Sequence, residues 1–148
     1  MQVRKEFKIF VVDGDLFSLN LYNQHLINLG YTDVSTFHQA SDCFQALPQG
    51  PHIIFLDHNI DTADGVSSLK KIKRFNPDIY VIFIAGLDEV EAVVSSLKHG
   101  AFDFIVRGDN DVKTLDDVIA RVQRVQLLLK KNSSGVFQAL SNMLHSRQ

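Results

Sequence analysis

The sequence predicts an α/β domain built on a doubly wound, five-stranded parallel sheet with helices on both faces. Two observations carry that expectation. Short, dense apolar runs of strand length recur along the chain, as expected for strands buried on both faces. Between them lie stretches with apolar residues three and four apart, the period of a helix with one buried face. Regular alternation of the two implies right-handed βαβ units.

The strand runs are Ile9-Phe10-Val11-Val12, Ile53-Ile54-Phe55-Leu56, Val81-Ile82-Phe83-Ile84 and Phe104-Ile105-Val106. Val34-Ser35-Thr36-Phe37 is more polar and reads as an edge strand. Leu19, Tyr22, Leu26 and Leu29 mark a first helix, with Gly30 as its C-terminal stop. Ala40, Cys43, Phe44 and Leu47 mark a second, ended by Pro48 and Gly50. Val66, Leu69 and Ile72 mark a third, stopped before Pro77. Val90, Val93, Val94 and Leu97 share one face of a fourth, with Asp88 as the candidate N-cap and Gly100 beyond its end. Leu115, Val118, Ile119, Val122 and Val125 mark the fifth. Residues 130–135 (Lys-Lys-Asn-Ser-Ser-Gly) read as a helix end and a joint. Val136, Phe137, Leu140, Met143 and Leu144 then form a short amphipathic helix. The expected division is a domain over 1–132 and a tail over 133–148, with no output module following. That tail helix either folds back, pairs with a second copy or docks a partner.

Bulk properties exclude several classes. The 148 residues suit one domain. A formal net charge of −2 gives no footprint for nucleic acid or an anionic membrane. The apolar runs are far shorter than the ~20 residues a membrane-spanning helix needs. The N-terminus lacks the apolar core of a signal peptide. Cys43 is the only cysteine, so no intrachain disulfide forms, and it reads as a small core residue in a cytoplasmic protein.

In an open α/β sheet the working crevice lies at the carboxyl ends of the strands, where the strand order reverses. In the order 2-1-3-4-5, strands one and three meet there. Strand one ends in Asp13-Gly14-Asp15, strand three in Asp57-His58-Asn59, strand four in Ala85-Gly86 and strand five in Arg107-Gly108. Two adjacent carboxylates repel unless a cation lies between them. Mg2+ suits such a pair, and Arg107 would receive charge on a phosphoryl group opposite. The chemistry favoured is phosphoryl transfer to a carboxylate.

On these residues the chain resembles the receiver domain of two-component response regulators, over about Lys8 to Val125. The matching runs are Ile9 to Asp15, Ile53 to Asp57 with Asp64-Gly65, Pro77 to Ile84, and Gly100-Ala101-Phe102-Asp103-Phe104. The resemblance implies a flavodoxin-like fold with Asp57 as phosphoacceptor. It makes Asp13 one member of the acidic pair, and Asn59 the residue whose backbone carbonyl binds the metal together with Asp13 and Asp57. It also sets out departures. Gly14 stands where a second metal-binding carboxylate is usual, and Ala85 where a hydroxyl would meet the phosphoryl group. Arg107 replaces a lysine and Gly108 a proline. Phe104 occupies the position of the aromatic that swings inward on activation. Mg2+ binding is therefore expected to be weakened. Arg107, a planar fork rather than a point charge, is able to pair directly with Asp57.

The expected function is that of a stand-alone, non-enzymatic receiver. Asp57 takes a phosphoryl group from a histidine kinase or phosphotransfer protein, and the signal passes by contact between the fourth-helix, fifth-strand and fifth-helix face and an unnamed output protein. The alternative is a pseudo-receiver that docks partners without phosphate. A flavin enzyme of similar fold is disfavoured, because Asp13 and Asp15 stand where a flavin phosphate would lie. The six histidines, including His58 beside the acceptor, read as structural or solvated. Asp61 and Asp64 read as turn and cap residues, and Lys70, Lys71, Lys73 and Arg74 as a solvated face.

Overall fold

A computed structural model of the chain describes residues 6–60, 63–108 and 111–146. The elements in chain order are β1 (Lys8–Val12), α1 (Leu16–Asn28), β2 (Asp33–Phe37), α2 (Ala40–Ala46), β3 (Ile53–Asp57), β4 (Asn59–Ile60), β5 (Ala63–Asp64), α3 (Gly65–Phe75), β6 (Tyr80–Ala85), α4 (Val90–Lys98), β7 (Asp103–Val106) and α5 (Asp111–Ser146). The main sheet is parallel and ordered β2-β1-β3-β6-β7, so β6 and β7 are the fourth and fifth strands expected from sequence. β2 lies at one edge, as its polarity predicts. The β4–β5 pair is a two-residue antiparallel ladder between β3 and α3 that the apolar pattern does not signal.

Continuous apolar strands still alternate faces, and the two cores separate on that alternation. Phe10, Val12, Ile54, Leu56, Val81 and Phe83 pack under α2, α3 and α4 with Cys43, Leu69 and Ile72. Ile9, Val11, Ile53, Phe55, Ile82 and Ile84 face the other way, onto Leu19 and Leu26 of α1 and Leu115, Val118, Ile119 and Val122 of α5. Cys43 is buried, with its thiol pushed up to about 12 by desolvation, so it is an inert core residue.

Local signals place the helix ends. Asp15 caps α1, accepting from the Ser18 N–H at 3.3 Å and its hydroxyl at 2.8 Å. Gly30 follows α1 with φ 102°, a conformation that favours glycine. Asp64 caps α3 through the Ser67 N–H at 2.7 Å. Asp61 lies outside the described residues.

Three sequence expectations are corrected. The N-cap of α4 is Glu89, not Asp88. Of the four apolar residues assigned to the inner face of α4, only Val93 is buried (8 % exposed), while Val90, Val94 and Leu97 face outward. Inward contact is shared with Ser96, whose hydroxyl is satisfied by the Val93 carbonyl at 2.7 Å. The helix also continues through residues 130–135, where a joint is expected, and α5 runs as one element to Ser146. A glycine in a helix interior costs only about 1 kcal/mol. Extension of a helix already formed over Leu115 to Val122 needs no new nucleus. The side chains of Val136, Phe137 and Leu140 are outside the described set.

Candidate functional site

The parallel register lines up the strand ends that form the pocket. Val12 pairs with Leu56, Asp57 with Ile84 and Ala85 with Val106. The residues one step beyond, Asp13 and Arg107, therefore flank Asp57 and Ala85 at the switch point. Asp13, Asp57, Asn59 and Arg107 are brought together at these strand ends. Asp57 is 2 % exposed and Asp13 3 %.

Asp57 is held at both oxygens. Its Oδ2 accepts the Asn59 backbone N–H at 2.9 Å. Its Oδ1 accepts Nε of Arg107 at 3.1 Å and is also bonded by Nη2 of the same guanidinium. Burial pushes Asp57 above the ordinary carboxylate range, while Arg107 and the Asn59 N–H pull it back. Asp13 accepts the Asp15 N–H at 2.9 Å through Oδ1. Its Oδ2 is buried with no partner among the described residues. Burial raises Asp13 to about 6, the Asp15 N–H opposes the rise and the neighbouring Asp57 adds to it.

A residue that sequence reasoning missed completes the cluster. Glu89 Oε1 accepts the Gly86 N–H at 2.7 Å and lies 3.5 Å from Arg107 Nη1. Its Oε2 accepts from Asn59 Nδ2 at 3.0 Å and lies 4.0 Å from His58 Nε2. The Gly86 N–H, more than the side chains around it, holds Glu89 below its usual range, so it is an anion at neutral pH. An acid just ahead of a helix reads as a cap, and nothing in the spacing marks it otherwise.

Gly65 is needed behind the acceptor. A Cβ there would lie 2.7 Å from His58 Cα and 3.0 Å from the Asp57 carbonyl oxygen, which explains the Asp64-Gly65 pair in physical terms. Phe104 is not in the pocket. It pairs with Phe83 on the edge strand and is 38 % exposed.

The chain belongs to the response regulator receiver domain family, whose model matches residues 9–123. It is 25% identical over 138 residues to the transcriptional regulatory protein ZraR of Salmonella typhimurium, covering 91% of this chain and 31% of that protein. It is 28% identical over 117 residues to the DNA-binding transcriptional regulator NtrC of Escherichia coli, covering 78% and 24%. The chain thus spans about a third or less of these relatives. The crystal structure of the receiver domain of NtrX from Brucella abortus superposes with a TM-score of 0.71 at 29% identity, over 76% of this chain and 95% of that one. Receiver domains are signalling modules that interact with histidine kinases or phosphotransfer proteins and typically bind Mg2+ at the phosphorylation site. Among the described residues no helix is long and apolar enough to cross a membrane.

The residues present do not fit that ion well in this arrangement. Mg2+ calls for a near-octahedral oxygen shell with carboxylates to hold it. The free Oδ2 of Asp13 is such an oxygen, but position 14 supplies none and Asp15 is turned outward to cap α1. Asp57 is already neutralised by Arg107. No group of three or more His, Cys, Asp or Glu able to hold an ion occurs among the described residues.

Proposed function

We propose that this chain is a cytoplasmic receiver that accepts a phosphoryl group on Asp57 from a histidine kinase or phosphotransfer protein and signals by protein contact. One observation carries the reading: a buried carboxylate at the end of β3, oriented by the Asn59 N–H and facing the guanidinium of Arg107. A carboxylate oxygen of Asp57 attacks phosphorus, the new O–P bond forms, and the P–N bond to the donor imidazole breaks with its electron pair. The guanidinium meets phosphoryl oxygens in the bidentate geometry that suits it. The receiver spans 1–132, and 133–148 is an appended tail. The output face consists of α4, β7 and the adjoining side of α5, where Val90, Val94, Leu97, Phe104 and Val106 are exposed.

Intact-mass measurement after incubation with acetyl phosphate and Mg2+ tests this. The wild-type chain gains one phosphoryl group and Asp57→Asn gains none. No gain with acetyl phosphate or with a cognate kinase rejects the reading. The second reading, a docking module that works without phosphate, is favoured by the Arg107–Asp57 ion pair together with Gly14 and Ala85. It predicts no saturable amide shifts near Asp57 on titration with beryllofluoride and Mg2+.

A further inference from the structure

We infer that Glu89 and Arg107 replace the absent hydroxyl at position 85 as the coupling between Asp57 and the β6–α4 loop; the inference rests on Asp57 being the phosphoacceptor. Ala85 ends β6 fully buried and carries only a methyl group, so it offers a phosphoryl group no hydrogen bond. The loop is tied to the pocket by Glu89 instead. Its carboxylate receives the Gly86 N–H at 2.7 Å and the Asn59 amide at 3.0 Å, and lies 3.5 Å from Arg107. Three chain segments therefore meet at one side chain: the end of β3, the β6–α4 loop and the end of β7.

Two features mark this as a built contact. Glu89 is the N-cap residue of α4, yet it makes no side-chain cap bond. An acid at that position would ordinarily serve its own helix, and here it is turned toward the pocket. Gly86 leaves the space: a Cβ there would lie 3.0 Å from Asp88 Oδ1, 3.3 Å from Arg107 Nη1 and 3.5 Å from Glu89 Oε1.

Arg107 is thus shared between two carboxylates, with Nε and Nη2 on Asp57 and Nη1 toward Glu89. A phosphoryl group on Asp57 adds charge and acceptor oxygens, and the guanidinium moves to the stronger anion. Glu89 loses its cation and turns to the free N-terminus of α4. The loop and α4 shift with it, and the exposed apolar face changes shape.

The test compares wild type, Glu89→Gln and Glu89→Gln/Ala85→Thr under acetyl phosphate with Mg2+. Intact mass reports phosphorylation, and amide shifts of Gly86 and α4 report the response. Glu89→Gln keeps the size and planarity of the side chain and one acceptor oxygen for the Gly86 N–H but removes the charge. It is expected to gain the phosphoryl mass while its α4 shifts shrink about two-fold or more. Adding Ala85→Thr supplies the hydroxyl and restores them. Equal α4 shifts in wild type and Glu89→Gln, at equal phosphorylation, overturn the coupling and leave the acceptor reading intact. No mass gain in wild type overturns both.

Discussion

At the residue scale, the unsatisfied Oδ2 of Asp13 makes a prediction about stability. Its folded-state pKa of about 6 lies above the unfolded value near 3.8, so folding favours the protonated acid. That contribution is full below pH 3.8 and is lost as pH rises through about 6. Two units correspond to about 3 kcal/mol. Asp13→Asn keeps an acceptor for the Asp15 N–H and removes the charge. It is expected to be more stable than wild type by about 1–3 kcal/mol at pH 7, and to lose the wild-type decline in urea midpoint between pH 4 and 7. An unchanged slope in the variant would remove Asp13 as its source. Asp13, Asp57 and Arg107 were legible because strand ends in an alternating α/β chain have only one place to converge. Glu89 was not, because its contacts come from three loops closing on it, and local spacing describes only its own.

At the scale of elements, α4 shows what an apolar pattern can and cannot specify. Its period was legible and its orientation was not. Val90, Val93, Val94 and Leu97 do form one stripe, but the helix is turned so that only Val93, at the edge of that stripe, faces the core beside Ser96. The choice of Val93 is set by where Ser96 and the chain entry at Glu89 hold the helix. Neighbouring substitutions should therefore diverge. Val93→Asp places a charge without a partner in the core and is expected to cost about 2–5 kcal/mol. Val94→Asp, at a site 46 % exposed, should stay within about 0.5 kcal/mol of wild type. Denaturant titration of the two variants decides it, and similar losses for both would mean that α4 buries its whole apolar stripe. The small β4–β5 ladder was invisible for a different reason: two residues a side carry no period to read.

At the scale of the molecule, a parallel sheet covered on both faces followed from alternation, since a continuous apolar strand still has two faces. The strand order β2-β1-β3-β6-β7 is one of several that the same alternation allows, and it came with the resemblance to receiver domains. The course of α5 did not, because a run of Asn, Ser and Gly resembles a joint unless a long helix is already in place to propagate through it. Among the described residues, the buried side chains of α5 nevertheless lie in its first half. Leu115, Val118, Ile119 and Val122 are fully buried, whereas Leu127, Leu128 and Leu129 are each more than half exposed. The helix therefore turns out of the core over Leu127 to Leu129, and its continuation needs no new nucleus. A chain ended after Lys131 should keep the core intact, with a melting midpoint within about 2 °C of the full chain, because a loss of 1 kcal/mol would already lower it by about 3–6 °C in a domain of this size. Thermal denaturation followed by circular dichroism measures both the midpoint and the helix content removed. A fall of several degrees would show that the tail folds back and stabilises the domain. An unchanged midpoint with reduced helix signal leaves residues 132–146 as an independent projecting helix, with the core closed by Leu115, Val118, Ile119 and Val122 of α5.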